Sequence, residues 1–146
     1  RYLQVTGVQT CALPIFRIHF DMPIRTVVAN GKVVDDKGKV AVERGPLVYC
    51  AEAVDNQNEP VLRAVMAKKP AFSVVDNYSI QNTETKGAPA FSVKAIKADA
   101  QILEEGANGV SVKNNVLTLI PYYAWNHRGA NQMNVWFYQN LSVLDK

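Results

Sequence analysis

The segment PYYAWNHRG, residues 121–129, carries the densest group of side chains suited to chemistry in this sequence. Its aromatic residues offer flat apolar faces: Tyr122, Tyr123 and Trp125. The residues that follow them add hydrogen-bond donors: Asn126, His127 and Arg128. Sugars present C–H faces edged with hydroxyl groups, so aromatic rings beside polar groups are typical of a carbohydrate-binding surface. These side chains are therefore candidate glycan-binding residues.

The same aromatic residues have an alternative interpretation. In an extended chain, alternation places Tyr123 and Trp125 on one face and Tyr122 on the other. The rings would then fill the core of the domain or a contact with another domain. Buried aromatic anchors are more common than exposed platforms, which favours this second interpretation.

Carboxylates do not form an evident catalytic pair. A glycosidase site needs two carboxyl groups that face each other across the scissile bond. The neighbours Asp35 and Asp36, like Glu104 and Glu105, point to opposite faces of an extended chain, and Glu43 is expected to pair with Arg44. The remaining candidates stand alone in the sequence: Glu52, Asp55 and Asp76. We predict no catalytic residue.

Metal, cofactor and partner signals are equally sparse. His19 and His127 are far apart, and Cys50 lies in the apolar run GPLVYCAE, which predicts a buried, inert thiol and no metal or cofactor site. The net charge is +3, with the charged residues scattered along the chain. This distribution indicates neither a nucleic-acid-binding surface nor a membrane patch. The compartment is left undetermined.

Period-two alternation dominates the chain and predicts an all-β, antiparallel β-sandwich. Strands are expected in FRIHFDM (residues 16–22), in RTVVA and KVV around an Asn30-Gly31 hairpin turn, and in VAVE and LVYCAE on either side of Pro46. A short helix or helical turn is expected in residues 59–70. Further strands are expected in residues 72–80 and 90–103, in a hairpin turning at Asn114-Asn115, and in residues 132–144.

The first fifteen residues are excluded from this fold. Residues 5–15, VTGVQTCALPI, lack a clean period and match one reading frame of a common sequencing adapter. We interpret residues 1–15 as a non-native segment and residues 16–146 as one β-sandwich domain. The sandwich is expected to be incomplete, with strands upstream of Phe16 missing.

Two segments resemble glycoside hydrolase family 127, the β-L-arabinofuranosidase-like enzymes. VAVERGPLVYCAEAVDN (residues 40–56) resembles the family segment A-x-x-R-G-P-L-V-Y-C-x-E-x-x-D. PYYAWNHRGANQMNVW (residues 121–136) resembles its segment P-Y-Y-A-W-x-x-R-G-x-x-x-M-x-V-W, and DMPIR (residues 21–25) suits the preceding strand.

The resemblance implies a parent enzyme that uses zinc held by three cysteines and a glutamate, one cysteine being the nucleophile of a retaining mechanism. Those residues belong to a helical barrel that precedes the β-sandwich, and Cys50 is not one of them. The resemblance therefore implies a non-catalytic sandwich that braces the missing N-terminal helical barrel or mediates assembly, with carbohydrate binding as the alternative.

The resemblance also suggests roles for a structural motif, Arg44-Gly45-Pro46. Gly45 would permit a backbone conformation that other residues resist, and Pro46 would end the strand pairing. Arg44 would anchor a loop through its planar guanidinium group.

Overall fold

The computed structural model describes residues 18–107 and 109–139, and this part of the chain is built from strands and short 3-10 helices. The strands are β1 (Ile24–Val28), β2 (Lys39–Arg44), β3 (Leu47–Glu52), β4 (Ala64–Met66), β5 (Phe72–Ile80), β6 (Phe91–Gly106), β7 (Gly109–Pro121), β8 (Met133–Asn134) and β9 (Phe137–Tyr138). The 3-10 helices are Val34–Asp36, Ala53–Asp55, Val61–Arg63 and Tyr122–Ala124. The proposed adapter segment, residues 1–15, lies outside the described residues.

The strand pairings run in a ring. The order is β2, β9, β4, β6, β7 and β3, and β3 pairs with β2 again; β1 pairs with β2, β5 with β6, and β8 with β3. Every pairing is antiparallel except the parallel bridge between Val65 in β4 and Tyr138 in β9. The all-β, sandwich-like prediction is confirmed, and the sheet is mixed because of this bridge.

Alternation along the central strands β3, β6 and β7 buries both of their faces. On one face lies the larger core, to which β3 contributes Tyr49 and Ala51 and β6 contributes Ile96 and Ala98. On the other face lies a smaller core, which contains Cys50 of β3, together with Val93, Ala95, Ile120 and Ala124. Cys50 is fully buried, as its apolar neighbours predict. The two cores explain why consecutive residues are buried at Tyr49–Ala51 in β3, Ala95–Ile96 in β6 and Leu119–Ile120 in β7.

Two predicted strands near the N-terminus are wrong. Residues 18–23 form no strand, because Ile18 and Phe20 are exposed and the described residues give them no core to pack against; the first strand begins at Ile24, after Pro23. Phe16 and Arg17 lie outside the described residues. The KVV segment is a turn and a 3-10 helix, since β1 pairs with β2 instead, with Val28 opposite Val40.

The Asn30-Gly31 turn itself is present, although it does not join two strands. Its backbone closes through a hydrogen bond from Val33 N–H to the Asn30 carbonyl oxygen (2.8 Å), and Lys32 N–H donates to Asn30 Oδ1 (3.0 Å). The turn DDKGK before β2 is present, with Gly38 at φ 79°. The helical turn expected in residues 59–70 is the 3-10 helix Val61–Arg63, followed by β4.

The predicted hairpin turn at Asn114-Asn115 is also wrong. Both residues lie within β7, where Asn114 Oδ1 accepts a hydrogen bond of 3.1 Å from Gln101 Nε2 of the neighbouring β6. The β6–β7 hairpin closes where Gly106 pairs with Gly109. The sequence there contains the dipeptide Asn-Gly at 108–109, the stronger hairpin signal.

Within the described residues, which end at 139, the expected C-terminal strand is shorter than predicted. Its described part forms β8 and β9, separated by Val135 and Trp136. Residues 140–144 of that prediction lie outside the described part of the chain.

The Gly45-Pro46 turn joins β2 to β3, with Arg44 opposite Leu47. Gly45 has φ +56°, and the proline ring fixes φ of Pro46 near −65°, which is the pattern of a type II′ hairpin. A Cβ atom at position 45 would also collide with the Met22 side chain. Gly45 therefore meets a conformational requirement, and a larger residue would also displace the flexible end of the Met22 side chain.

We predict that Gly45→Ala lowers the free energy of unfolding by about 1–3 kcal/mol, because alanine is strained at positive φ and meets Met22. Gly31→Ala is the matched control, since Gly31 has no positive φ and no neighbour within 4 Å, and it should change stability by less than about 1 kcal/mol. Urea unfolding of both variants measures the difference. Equal stability of the two variants would contradict the assignment.

Candidate functional site

A buried ion cluster joins the segment of residues 40–56 to the segment of residues 121–136. Glu52 ends β3, Asp55 lies in the 3-10 helix that follows, and Arg128 lies in the loop after the 3-10 helix Tyr122–Ala124. The Arg128 guanidinium binds Glu52 Oε2 and both carboxylate oxygens of Asp55. The side chains of Arg128, Glu52 and Asp55 are 8%, 0% and 2% exposed.

Further hydrogen bonds complete the coordination of the two carboxylates. Tyr78 Oη donates to Asp55 Oδ1 (2.7 Å), while Asn126 N–H and Asn131 Nδ2 donate to Glu52 Oε1 (3.2 and 3.1 Å). All four carboxylate oxygens thus have a donor. Buried charges are tolerated when they are paired and hydrogen-bonded in this way.

The cluster shifts the pKa values of the groups around it. Burial raises the pKa of Tyr78 to about 12, and its hydrogen bond to Asp55 adds to this effect. Burial also raises the pKa of Cys50 to about 12, assisted by the negative charges of Glu52 and Asp55. For Arg128, burial lowers the pKa, but the hydrogen bonds and charges of Asp55 and Glu52 outweigh it and raise the pKa.

These properties describe a structural cluster with little capacity for chemistry. Glu52 and Asp55 share the guanidinium of Arg128 and are hidden from solvent, so neither carboxylate is accessible to a ligand. Cys50 remains a thiol near neutral pH, whereas a zinc ligand or nucleophile must be a thiolate. Among residues 18–107 and 109–139, no three metal-ligating side chains are grouped to hold an ion.

The sequence did not indicate Glu52 and Asp55 as a pair. They are three positions apart, and the change from strand to 3-10 helix between them turns both side chains toward Arg128. One indication of this pairing was present in the sequence: each of the two segments that resemble the family, residues 40–56 and 121–136, contains charged residues next to an apolar run. Glu43 was expected to pair with Arg44, but it pairs with Arg25 across the β1–β2 ladder, at 2.9 Å.

The aromatic residues are not arranged as alternation predicts. The 3-10 helix Tyr122–Ala124 places residues three apart on the same side, and the rings of Tyr122 and Trp125 lie 6.0 Å apart at 31°. Trp125 also packs against the smaller core. Tyr123 is 63% exposed and lines a separate depression beside Arg44.

The polar candidates are likewise distributed. The His127 ring packs edge-on against Phe91, with centroids 5.3 Å apart, and its carbonyl oxygen accepts a hydrogen bond from Thr83 N–H (2.8 Å). Asn126 has φ 65° and is exposed, whereas Arg128 is held in the ion cluster. The five candidates, Tyr123, Trp125, Asn126, His127 and Arg128, do not share one surface, and glycan binding by them stays a prediction.

Comparison with known proteins places this arrangement in a family. The glycoside hydrolase family 127 C-terminal domain matches residues 24–138, which include β1 through β9 and the whole ion cluster. The chain belongs to glycoside hydrolase family 127. The matched range corresponds to the C-terminal domain of that family, and it contains the two segments that resemble the family, residues 40–56 and 121–136.

Individual relatives agree with this assignment. The chain is 33% identical over 138 residues to a non-reducing end β-L-arabinofuranosidase of Bifidobacterium longum subsp. longum, covering 92% of this chain and 20% of the relative. A solved GH127 β-arabinofuranosidase is 43% identical with a TM-score of 0.71, over 85% of this chain and 18% of that structure.

A second solved relative is more distant in sequence. It is the GH127 β-L-arabinofuranosidase Ara127N of Geobacillus stearothermophilus T6, with 27% identity and a TM-score of 0.65, over 82% of this chain and 18% of that structure. The chain therefore spans about a fifth of the length of the relatives it matches.

We predict that Arg128→Ala lowers the free energy of unfolding by about 3–5 kcal/mol, because it leaves two buried carboxylates without their counter-charge. Arg63→Ala is the control, since it removes an exposed ion pair with Glu105 and should cost about 0–1 kcal/mol. Chemical denaturation followed by tryptophan fluorescence measures both. A loss for Arg128→Ala no larger than that for Arg63→Ala would show that the cluster does not stabilise the fold.

A pH prediction follows from Tyr78. Its pKa is about 12 in the folded protein and 10.0 in an ordinary environment, so above pH 10 the unfolded state loses the proton first. The stability due to this hydroxyl is complete below pH 10 and is lost as the pH rises toward 12. Tyr78→Phe should therefore show a shallower decline of unfolding free energy between pH 10 and 12. Cys50 contributes its own slope in both proteins, and identical slopes would refute the prediction.

Proposed function

We propose that this chain is a non-catalytic accessory domain that braces the catalytic region of a longer family 127 protein. The observation that carries the proposal is the Glu52–Arg128–Asp55 cluster, in which the two family-like segments meet and the four carboxylate oxygens all receive hydrogen bonds. Residues engaged in this way hold a fold together. They do not present a reactive surface.

The distribution of exposed apolar side chains supports a bracing role. Several of them precede β2 in the chain: Ile18, Phe20, Val28, Val33 and Val34. Exposed apolar groups of this size are typical of surfaces that another protein segment covers. In the longer protein, we propose that the helical barrel which precedes this domain in the family supplies that cover.

The activity of the longer protein follows from its relatives. Two of those relatives are named as β-L-arabinofuranosidases and one as a β-arabinofuranosidase, and this domain corresponds to about a fifth of their length. We propose that the longer protein hydrolyses β-L-arabinofuranosides, with the zinc and cysteine chemistry of the family located in the remaining four-fifths. The described residues of this chain do not fit such a centre, since Cys50 is a buried thiol of raised pKa.

A carbohydrate-binding role based on the aromatic platform receives less support. Trp125 packs on the smaller core and on Tyr122, and Arg128 is occupied by two carboxylates. Neither side chain is free to contact a sugar in the manner that the sequence suggested.

The test compares this chain with the longer protein on a chromogenic β-L-arabinofuranoside in buffer with and without zinc. We expect turnover by the longer protein and none by the 146-residue chain, because no activated nucleophile is present among its described residues. In the longer protein, Cys50→Ala should keep kcat within about twofold, since the buried thiol performs no step.

The outcomes separate the possibilities. Turnover by the 146-residue chain would overturn the non-catalytic assignment, as would complete loss of activity in a folded Cys50→Ala variant. A longer protein that retains its melting temperature and activity after this domain is deleted would overturn the bracing role. The activity of the intact longer protein, measured in the same buffer, is the positive control.

A further inference from the structure

Arg44 is a cation without a carboxylate partner among the residues that the structure describes. Its Nε atom is buried and makes no hydrogen bond, and no carboxylate oxygen of that region lies within 4.0 Å of its guanidinium. Arg128, the other arginine held inside the fold, binds two carboxylates. A half-buried guanidinium has lost part of its hydration, and this cost is offset when an anion binds to it.

Arg44 lines a depression of about 340 Å³ between the β2–β3 hairpin and the strands β5 and β6. This volume is at the small end of the range for small-molecule sites. The lining is mainly polar and aromatic, and its principal members are Tyr49, Asn77, Ser92, Lys94 and Tyr123. Asn77 has φ 57° at the bulge where β5 shifts its register against β6, so the bulge positions its amide beside the depression.

The charged groups around the depression leave a net positive charge. Lys94 is bound to Asp76, which neutralises both. Burial raises the pKa of Tyr49, and Arg44 opposes this rise both by its charge and as a hydrogen-bond donor to the hydroxyl. This hydroxyl is neutral and donates to the Lys94 carbonyl oxygen (2.9 Å). Glu43, the next residue in β2, is engaged by Arg25. The charge of Arg44 also acts on Asp76, but Asp76 is already held by Lys94, so among the described residues Arg44 has no carboxylate in direct contact.

Tyr123 gives the depression a second binding element. Its ring is 63% exposed although it belongs to the segment that caps the smaller core, and it stands at the rim with Arg44. An aromatic face beside a guanidinium suits a ligand that has both a C–H face and a carboxylate. The hydroxyl of Ser92 and the amide of Asn77 can bind additional hydroxyl groups.

We propose that the Arg44 depression is a binding site for a monosaccharide-sized carboxylate, namely a uronic acid. Arg44 binds the carboxylate, Tyr123 contacts the ring face, and Asn77 and Ser92 contact ring hydroxyls. The site is separate from the Glu52–Arg128–Asp55 cluster, and the proposal does not depend on the bracing role. A carboxylate side chain from another part of the longer protein would share the chemistry of the acid group but not the sugar ring.

The test is a titration of the ¹⁵N-labelled 146-residue chain with D-glucuronate, followed by amide chemical shifts. D-glucose keeps the ring and removes the charge, and acetate keeps the charge and removes the ring. We expect saturable shifts at the amides of Ser92 and Tyr123 with glucuronate, and at least tenfold weaker binding of glucose and acetate. Arg44→Lys should weaken glucuronate binding about tenfold, because lysine lacks the planar fork.

Arg25→Lys is the matched control, since it makes the same substitution at an exposed arginine of the neighbouring strand and likewise leaves the net charge unchanged. It should bind glucuronate as the parent chain does. If Arg44→Lys does not fold, Tyr123→Ala tests the same site at an exposed position and should weaken binding at least fivefold.

Several results would overturn the proposal. If glucose binds as tightly as glucuronate, the site does not recognise the carboxylate group. Acetate binding equal to that of glucuronate would assign the site to any carboxylate, including a protein side chain, and would exclude a sugar site. The absence of saturable shifts, or unchanged binding in folded Arg44→Lys and Tyr123→Ala variants, would exclude the site altogether.

Discussion

The ion cluster of one guanidinium and two carboxylates is the constraint on which the arrangement of the loops depends. It can exist in a buried position only if its carboxylates are paired with a cation, because an unpaired buried charge costs several kcal/mol. The match requires the end of β3, the following 3-10 helix and the loop at Arg128 to meet at one point. Tyr78 extends the requirement to β5 through its hydrogen bond to Asp55.

The smaller core lies directly beside this cluster and depends on it. It is formed on the second face of β3, β6 and β7, and its outer side is covered by Trp125, Met133 and Val135 from the segment after β7. That segment has little regular structure of its own, since it contains one 3-10 turn and the two-residue strands β8 and β9. The ion pair of Arg128 with Glu52 holds this segment in place, and its apolar side chains can then cover Cys50.

The hydrogen bonds of Asn56 also hold the region at the end of β3. Asn56 Nδ2 donates to the carbonyl oxygens of Glu52 (2.7 Å) and Thr118 (3.1 Å), and Asn56 Oδ1 accepts from Thr118 N–H (2.8 Å). One buried amide thus joins the 3-10 helix to β7. Together with Arg128, it gives a structural role to the buried polar residues at the end of the first family-like segment: Glu52, Asp55 and Asn56.

Local sequence signals were enough to predict the fold class, the burial of Cys50 and most strand positions in β2, β3, β5 and β6. These follow from period-two alternation and from turn residues such as Gly45-Pro46, and both signals are local. Resemblance in two segments also identified the family, because motif spacing is a property of the chain alone.

Only the tertiary structure decided which partners these elements have. Alternation cannot tell that β1 pairs with β2 rather than with KVV, or that β7 continues through Asn114-Asn115, since both choices depend on the length and burial of a distant strand. It cannot pair Glu52 and Asp55 with Arg128, or bring Arg44 to Tyr123, because these contacts join residues far apart in the sequence. Such contacts are determined by the cost of burying charge and by the packing of the two cores. Both depend on residues far apart in the chain, so a short segment does not predict them.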